Sequence, residues 1–220
     1  MIWPTLCVDN FFNEPDKVVE FANTCKFFKK EISNYPGTRT EPLHLIDPGF
    51  FEWSCKKILS LLYPNEILKG NISWRATQHF QKVPNNLKAD GWVHQDPNEF
   101  TAIIYLSKYK NCGTSIYTPK NIYGNIKGTE IKHEFFKNGL NKDIAIKEKH
   151  NNNEQFEESI SFDSVYNRLI LFDGQQYHSA KPFLEKNSLE ERLTLITFFE
   201  IINSNNIDIL KLPIPQSKRI

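Results

Sequence analysis

Hydrophobic and polar residues follow two different periods along this chain, and the first is helical. Over residues 15–28 the apolar side chains recur at intervals of three and four, which predicts an amphipathic helix with Asn13 as a possible N-cap. The segment FFEWSCKKILSLL predicts a second helix over residues 50–62. Residues 34–49 lie between them and are rich in proline and glycine, so we interpret them as a loop.

Beyond Gly70 the pattern changes to short segments rich in β-branched and aromatic residues. They read NISWRATQHF, FTAIIYLS, TSIYTP, NRLILFDG and RLTLITFFEI. Several short strands without helical patterns between them favour an antiparallel sandwich or barrel over a parallel sheet. We therefore expect a mostly β fold with flanking helices packed outside it.

A polar segment interrupts the β-rich region over about residues 118–160. It is rich in Lys, Asn and Glu, and we interpret it as a long excursion between two core strands. With 220 residues the chain is expected to form a single domain. Its predicted parts are an N-terminal helical region over 1–70, a β core over 71–202 and a C-terminal tail over 203–220.

The charge balance gives no reason to expect a nucleic acid or an anionic membrane as partner. The chain has 27 Lys and Arg against 26 Asp and Glu. The longest apolar runs are shorter than the roughly 20 residues that a bilayer requires, so no spanning helix is predicted. The N-terminal residues lack the basic and apolar regions of a secretory signal.

The cysteines are scattered and form no CxxC pair, which favours reduced thiols over a disulfide framework. They are Cys7, Cys25, Cys55 and Cys112. Together with the missing secretory signal, this predicts the cytoplasm, a reducing compartment.

Candidate metal-binding chemistry lies in the segment WVHQDPNEF. In an extended chain His94 and Asp96 point to the same side, so an imidazole and a carboxylate could meet at one point. The H-x-D pattern alone is weak, and a solvated loop pair is the alternative. His178 follows a buried strand and a turn at Asp173-Gly174, and it could supply a third ligand. Two histidines and one carboxylate would leave three positions of an octahedral iron open, whereas a closed zinc site would usually use cysteines.

A candidate anion site lies in the last predicted strand. Arg192 and Thr194 share one face of ERLTLITFF, and a buried arginine there would need an anionic partner, for which a carboxylate suits the planar guanidinium. Tyr105 in FTAIIYLS could donate to the same carboxylate if its strand faces inward. The alternative for Arg192 is a surface arginine that balances the acidic pair at 190–191.

These motifs, in this order, resemble the 2-oxoglutarate- and Fe(II)-dependent dioxygenases, and within them the prolyl-4-hydroxylase-like branch. The resemblance covers about residues 72–200. Its elements are H-Q-D at 94–96, I-I-Y-L-S at 103–107, the glycine-led G-T-S-I-Y at 113–117, the distal His178, and R-L-T at 192–194.

The resemblance implies a double-stranded β-helix, which is a cupin-like jelly roll, with the metal in its mouth. The implied catalytic iron ligands are His94, Asp96 and His178. Arg192 would pair with the distal carboxylate of 2-oxoglutarate, while Thr194 and Tyr105 would hydrogen-bond to it. Gln78 is a candidate for a further contact with this co-substrate.

The resemblance implies an oxygenase that uses Fe(II) and 2-oxoglutarate, hydroxylates its substrate and forms succinate and CO2. The primary substrate could be a protein side chain or a small metabolite. Two other classes stay open: a metal-dependent cupin-like enzyme that does not use 2-oxoglutarate, and a non-catalytic jelly-roll binding protein. A zinc deaminase is disfavoured because the PCxxC partner motif is missing.

Overall fold

The computed structural model describes residues 4–29, 35–84, 91–108, 112–121, 142–181 and 191–204. The helices are α1 (Pro15–Thr24), α2 (Leu43–Ile46), α3 (Pro48–Leu59), α4 (Pro64–Lys69) and α5 (Lys142–Asn153). The strands are β1 (Leu6–Val8), β2 (Thr38–Arg39), β3 (Ile72–Val83), β4 (Phe100–Tyr105), β5 (Thr114–Pro119), β6 (Phe156–Phe162), β7 (Leu169–Asp173), β8 (Tyr177–Ala180) and β9 (Arg192–Ser204).

The strands form two antiparallel sheets that face each other. The large sheet has six strands in the order β1-β7-β4-β9-β3-β2, and the small sheet has three in the order β6-β5-β8. At one end the sheets pack through Tyr105, Ile116, Ile170 and Phe172. Two facing antiparallel sheets with helices on one outer side confirm the predicted mostly β, jelly-roll fold.

Side chains alternate between the two faces of the large sheet. On β9, Leu193, Leu195 and Phe199 belong to the main hydrophobic core together with residues of α1 and α3. Arg192 and Ile196, on the opposite face of the same strand, line a cavity between the sheets. The outer face of the large sheet therefore carries the core, and the inner face carries the cavity.

The first helix is shorter than predicted. α1 ends at Thr24, and Phe28 instead forms an isolated β-bridge with Arg39. The N-cap position is Glu14, and no side chain caps the helix, so the prediction of Asn13 as N-cap is wrong. The second helix was predicted over 50–62, but α3 starts at Pro48 because the side chain of Asp47 accepts a hydrogen bond from the Phe50 amide, at 2.9 Å.

The predicted loop over residues 34–49 contains regular structure. Strand β2 pairs with β3, with Thr38 opposite Lys82 and Arg39 opposite Gln81. Helix α2 follows directly. A two-residue strand is too short to show a period in the sequence. It forms because its backbone pairs with the edge of β3, which lies more than 40 residues away along the chain.

The polar segment 118–160 also differs from the predicted excursion. Its second half forms α5 and the start of β6, and β6 pairs with β5 along the small sheet, so it contributes to the β structure. Residues 122–141, and most of the predicted tail, lie outside the described residues. In the described part no helix is long and apolar enough to span a membrane. All four cysteines are free.

Candidate active site

The cavity between the two sheets has a volume of about 450 Å³. This lies within the range of roughly 300 to 1,000 Å³ that small-molecule sites occupy. Its wall is built from the inner faces of β3, β4, β5, β8 and β9, from residues 94–98 and from residues 35–39. The cavity therefore collects side chains from distant parts of the chain.

The three predicted metal ligands meet in this cavity. One ligand atom from each of His94, Asp96 and His178 lies within 4.8 Å of the other two. The two carboxylate oxygens of Asp96 face the two rings: Oδ1 is 3.6 Å from Nε2 of His94, and Oδ2 is 3.3 Å from Nε2 of His178. The geometry thus brings two imidazoles and one carboxylate to a single point.

Both histidines are oriented by backbone carbonyls. Nδ1 of His94 is 2.6 Å from the carbonyl oxygen of Trp92, and Nδ1 of His178 is 2.9 Å from that of Gln176. A carbonyl oxygen only accepts, so each Nδ1 carries the proton, and each Nε2 of a neutral ring presents a lone pair. The lone pairs and the carboxylate converge, and a cation is the partner that satisfies all three.

The approach of His94 to His178 depends on the segment that precedes it. Residues 91–94 run antiparallel to β8: the Gly91 amide donates to the Ala180 carbonyl at 2.9 Å, and the two histidines exchange backbone hydrogen bonds at 3.1 and 2.9 Å. A Cβ at Gly91 would lie 2.8 Å from the backbone nitrogen of Ala180. Only glycine allows this close contact.

Two asparagines at the end of α5 hold the same segment from its other side. Nδ2 of Asn152 donates to the Val93 carbonyl at 3.0 Å, and Oδ1 of Asn153 accepts from the Val93 amide at 3.0 Å. Nδ2 of Asn153 also donates to the Gly91 carbonyl at 2.9 Å. The polar segment therefore positions the backbone that leads to His94, which its composition did not predict.

Asp96 is oriented by a short polar chain from β4. The Thr101 hydroxyl donates to Oδ2 of Asp96 at 3.0 Å and accepts from Nδ2 of Asn98 at 2.9 Å. The Asp96 amide donates to the Gly174 carbonyl at 2.7 Å, which ties it to the turn after β7. Neither Thr101 nor Asn98 was predicted to have a role.

The predicted anion site lies on the inner face of β9. Arg192 is buried, lines the cavity and donates from Nη1 to the Cys112 carbonyl at 2.6 Å. Thr194 shares its face but is fully buried and is not among the residues that line the cavity. Its hydroxyl has no hydrogen-bond partner among the described residues. The structure thus places an arginine and an unsatisfied hydroxyl side by side.

Tyr105 lies behind this site rather than on the cavity wall. Its hydroxyl donates to Oγ1 of Thr114 at 2.8 Å, and Thr114 itself lines the cavity. Burial raises the pKa of Tyr105 to about 12, so its phenol stays a neutral donor at physiological pH. Thr114 is a functional candidate that sequence reasoning missed, although it lies within the glycine-led motif.

Gln78 does not reach the cavity, so its predicted role is wrong. It accepts from the Ser54 hydroxyl and donates to that of Thr197, at 2.9 and 2.8 Å, on the outer face. From β3 it is Thr77, His79 and Gln81 that line the cavity. Phe80 packs in the main core on the outer face of the sheet. Because side chains alternate along a strand, Gln78, two residues earlier, points to the same outer face.

Arg39 is the second arginine of the cavity wall, and it lies in the segment that was interpreted as a loop. Its guanidinium carbon Cζ is 3.8 Å from the ring centroid of Tyr35. No periodic pattern marks it, and only the pairing of β2 with β3 places it here.

Solved structures with a similar fold include two alpha-ketoglutarate-dependent proteins and a prolyl-4-hydroxylase. The non-heme alpha-ketoglutarate-dependent carbocyclase SnoK from nogalamycin biosynthesis is 9% identical, with a TM-score of 0.53, over 89% of this chain and 78% of that one. The epimerase SnoN from the same biosynthesis is 12% identical, with a TM-score of 0.50, over 89% and 76%. A Pseudomonas putida prolyl-4-hydroxylase is 15% identical, with a TM-score of 0.49, over 89% and 91%. The two similarities with TM-scores of 0.53 and 0.50 establish the double-stranded β-helix fold.

No curated protein matches the sequence. One sequence family does match, over residues 73–199, and it is described as a family of unknown function, DUF6445. The matched region covers more than half of the 220 residues and contains the whole cavity wall except residues 35–39 and Glu200. The chain therefore belongs to the family DUF6445.

Proposed function

We propose that this protein is a 2-oxoglutarate- and Fe(II)-dependent dioxygenase that hydroxylates a small molecule or a protein side chain. The observation that carries the proposal is the convergence of His94, Asp96 and His178, with both Nε2 atoms directed at the carboxylate. Its assignment to the prolyl-4-hydroxylase-like branch is part of the proposal and rests on the order of the sequence motifs.

The donor set fits ferrous iron. Two imidazole nitrogens and one carboxylate oxygen on one side of an ion leave its other positions open for a chelating co-substrate and dioxygen. Bound iron would supply the oxidising chemistry, in which 2-oxoglutarate is converted to succinate and CO2 as the substrate is hydroxylated. The chain's own contribution is to hold these donors in place through Trp92, Gln176 and Thr101.

The inner face of β9 fits the co-substrate. The Arg192 guanidinium would pair with the distal carboxylate of 2-oxoglutarate, which satisfies the buried positive charge. The Thr194 hydroxyl would donate to the same carboxylate and so gain the partner that it lacks among the described residues. Tyr105 would act through Thr114, whose hydroxyl it already contacts.

Two structures with this fold support the use of 2-oxoglutarate, also called alpha-ketoglutarate, but they do not indicate one particular reaction. SnoK and SnoN are both described as alpha-ketoglutarate dependent, one as a carbocyclase and the other as an epimerase. The same fold therefore supports more than one reaction, and hydroxylation is our proposal for this chain.

The test is an anaerobic titration of the purified protein with Fe(II) and then with 2-oxoglutarate, followed by visible absorption. We expect a charge-transfer band that requires both additions and that disappears in His178→Ala. A matched control is His150→Ala, which removes an exposed histidine that pairs with Glu154 at 3.1 Å. This control should keep the band.

Other outcomes would decide between the alternatives. Tight iron binding without a band would favour a cupin-like enzyme that does not use 2-oxoglutarate. Binding of neither ligand would favour a jelly-roll binding protein. A band that persists in His178→Ala would refute the ligand assignment.

A further inference from the structure

The proposed function uses one arginine of the cavity and leaves the other without a role. Arg39 lines the same cavity from β2, and its guanidinium lies over the Tyr35 ring and 5.3 Å from the ring centroid of Phe198. Burial lowers the pKa of Arg39 to about 10, so the side chain remains charged at neutral pH. The cavity therefore holds two positive charges, and the proposed function gives a ligand to Arg192 but not to Arg39.

The contacts of Arg39 leave part of its guanidinium directed at the cavity. Nε donates to Oε1 of Gln81 at 3.3 Å, and Gln81 is itself held by the Pro36 carbonyl at 2.7 Å. Within the described ranges, neither terminal amino group of Arg39 has a hydrogen-bond partner. The side chain is thus held at Nε and lines the cavity, and its two terminal amino groups are left to bind a ligand.

The carboxylates of the cavity wall are already engaged. Asp96 attracts Arg39 electrostatically, but it accepts from Thr101 and belongs to the metal ligands. Glu200 accepts from Arg75 at 2.7 Å and from Thr77 at 2.8 Å. Among the described residues, no carboxylate forms an ion pair with Arg39, so a bound anion is the natural partner.

The two guanidinium groups are directed to different parts of the cavity. The backbone of Arg39 is opposite Gln81, which is opposite Thr194, so the strand register places it two positions from the level of Arg192. Its guanidinium reaches Phe198, which is opposite Thr101 in the β4–β9 register, and Thr101 donates to Asp96. The Arg39 guanidinium therefore lies toward the proposed metal ligands, whereas that of Arg192 donates to the Cys112 carbonyl. A 2-oxoglutarate anchored at Arg192 would leave Arg39 to another molecule.

We propose that Arg39 binds a carboxylate of the primary substrate, which is then a small carboxylic acid. The inference rests on the proposed function for its statement that the ligand is the substrate. With Nε occupied, the two terminal amino groups form a planar fork that matches a carboxylate in bidentate geometry. The Tyr35 ring covers one face of the guanidinium, so the ligand must approach in its plane, which suits a planar group.

The experiment measures binding of small carboxylic acids, from acetate to N-acetylated amino acids, and of the corresponding neutral amides. Calorimetry is done on protein loaded with Ni(II) and 2-oxoglutarate, and on metal-free protein. We expect at least one acid to bind wild type about tenfold or more tightly than its amide. Arg39→Gln should remove this preference, and Arg39→Lys, which keeps the charge without the fork, should keep only part of it.

Arg75→Gln is the matched control, because it removes an exposed arginine that already pairs with Glu200. It should keep the preference for acids. The proposal is overturned if no acid binds wild type better than its amide, or if the preference survives in a folded Arg39→Gln protein.

The two proposals fail in different ways. If Arg39→Gln weakens 2-oxoglutarate binding and Arg192→Lys does not, Arg39 serves the co-substrate, and the inference falls while the oxygenase stands. If metal and 2-oxoglutarate do not bind, but metal-free protein shows an acid preference that Arg39→Gln removes, the carboxylate site stands and the oxygenase falls.

Discussion

Around the cavity, the two faces of the large sheet differ in polarity and packing, although they belong to the same strands. The outer face is built from large apolar side chains with little or no exposure, and Phe100 and Phe199 stack there at 4.4 Å between ring centroids. The inner face at the cavity carries His79, Gln81 and Arg192. Apolar burial stabilises the fold from one side, and polar groups line the cavity on the other.

Successive residues of a strand point to opposite faces, so residues that stabilise the fold alternate with residues that line the cavity. A change at one position should affect mainly the unfolding free energy, and a change at the next should affect mainly ligand binding. The outer face has its own buried polar pair, Gln78 and Thr197, but these two satisfy each other. Substitutions on each face can therefore break or sharpen the contrast.

The largest expected effect is on the inner side. Asp96→Ala removes the carboxylate that both histidines face, and we expect iron binding and turnover to fall below detection, while the melting temperature changes by only a few degrees. Anaerobic calorimetry with Fe(II), succinate formation from 2-oxoglutarate and thermal unfolding measure the three quantities. Glu154→Ala is the control, because it removes the carboxylate that pairs with His150 on the surface. Full turnover in Asp96→Ala would contradict the role.

The next effect is the opposite one, on the outer face. Phe80 is fully buried, and its ring centroid lies 5.6 Å from that of Phe21 and 6.1 Å from that of Phe50. Phe80→Ala should lower the unfolding free energy by about 3 to 5 kcal/mol, because it leaves a cavity in the core. Urea unfolding measures this loss. Iron affinity of the folded protein should stay at the wild-type value, and a parallel loss of affinity would erase the contrast between the faces.

The third effect returns to the cavity. Arg192→Lys keeps the charge and loses the planar fork, so the affinity for 2-oxoglutarate should fall by about 1.5 to 3 kcal/mol. Titration of the iron-loaded protein with 2-oxoglutarate gives this value, and iron affinity alone should be nearly unchanged. An unchanged requirement for 2-oxoglutarate would remove Arg192 from the co-substrate site.

The features that the sequence predicted are those that strand alternation and turn residues encode locally. His94 and Asp96 are two residues apart in an extended segment, His178 follows a buried strand, and Arg192 and Thr194 share one face of β9. The structure brings the first three together and places the last two side by side. Their roles as ligands and co-substrate contacts stay predictions.

The features that the sequence did not predict depend on contacts between distant segments. Arg39 reaches the cavity because β2 pairs with β3, and Asn153 reaches Val93 across about 60 positions of the chain. The inward face of β3 was misjudged at Gln78, since only the packing of Phe80 against the helices determines which residues turn outward. None of these contacts leaves a local pattern.

The smallest predicted effect comes from a Thr→Val substitution on the inner face of β9. The same substitution on the outer face of this strand gives a direct comparison of the two faces. Thr194→Val replaces a buried hydroxyl that lacks a partner among the described residues by a methyl group of similar shape. We expect unfolding stability to stay equal or rise, and 2-oxoglutarate affinity to fall by about 1 kcal/mol, roughly fivefold. Urea unfolding and 2-oxoglutarate titration measure the two changes.

Thr197→Val is the matched partner, three residues along β9 on the outer face. It removes the acceptor of the Gln78 amide and leaves a buried donor unsatisfied, so stability should fall by about 1 to 3 kcal/mol. The affinity for 2-oxoglutarate should not change. If Thr194→Val were instead the destabilising variant and left the affinity intact, its hydroxyl would belong to the fold, and the division between the two faces would not extend to this end of the cavity.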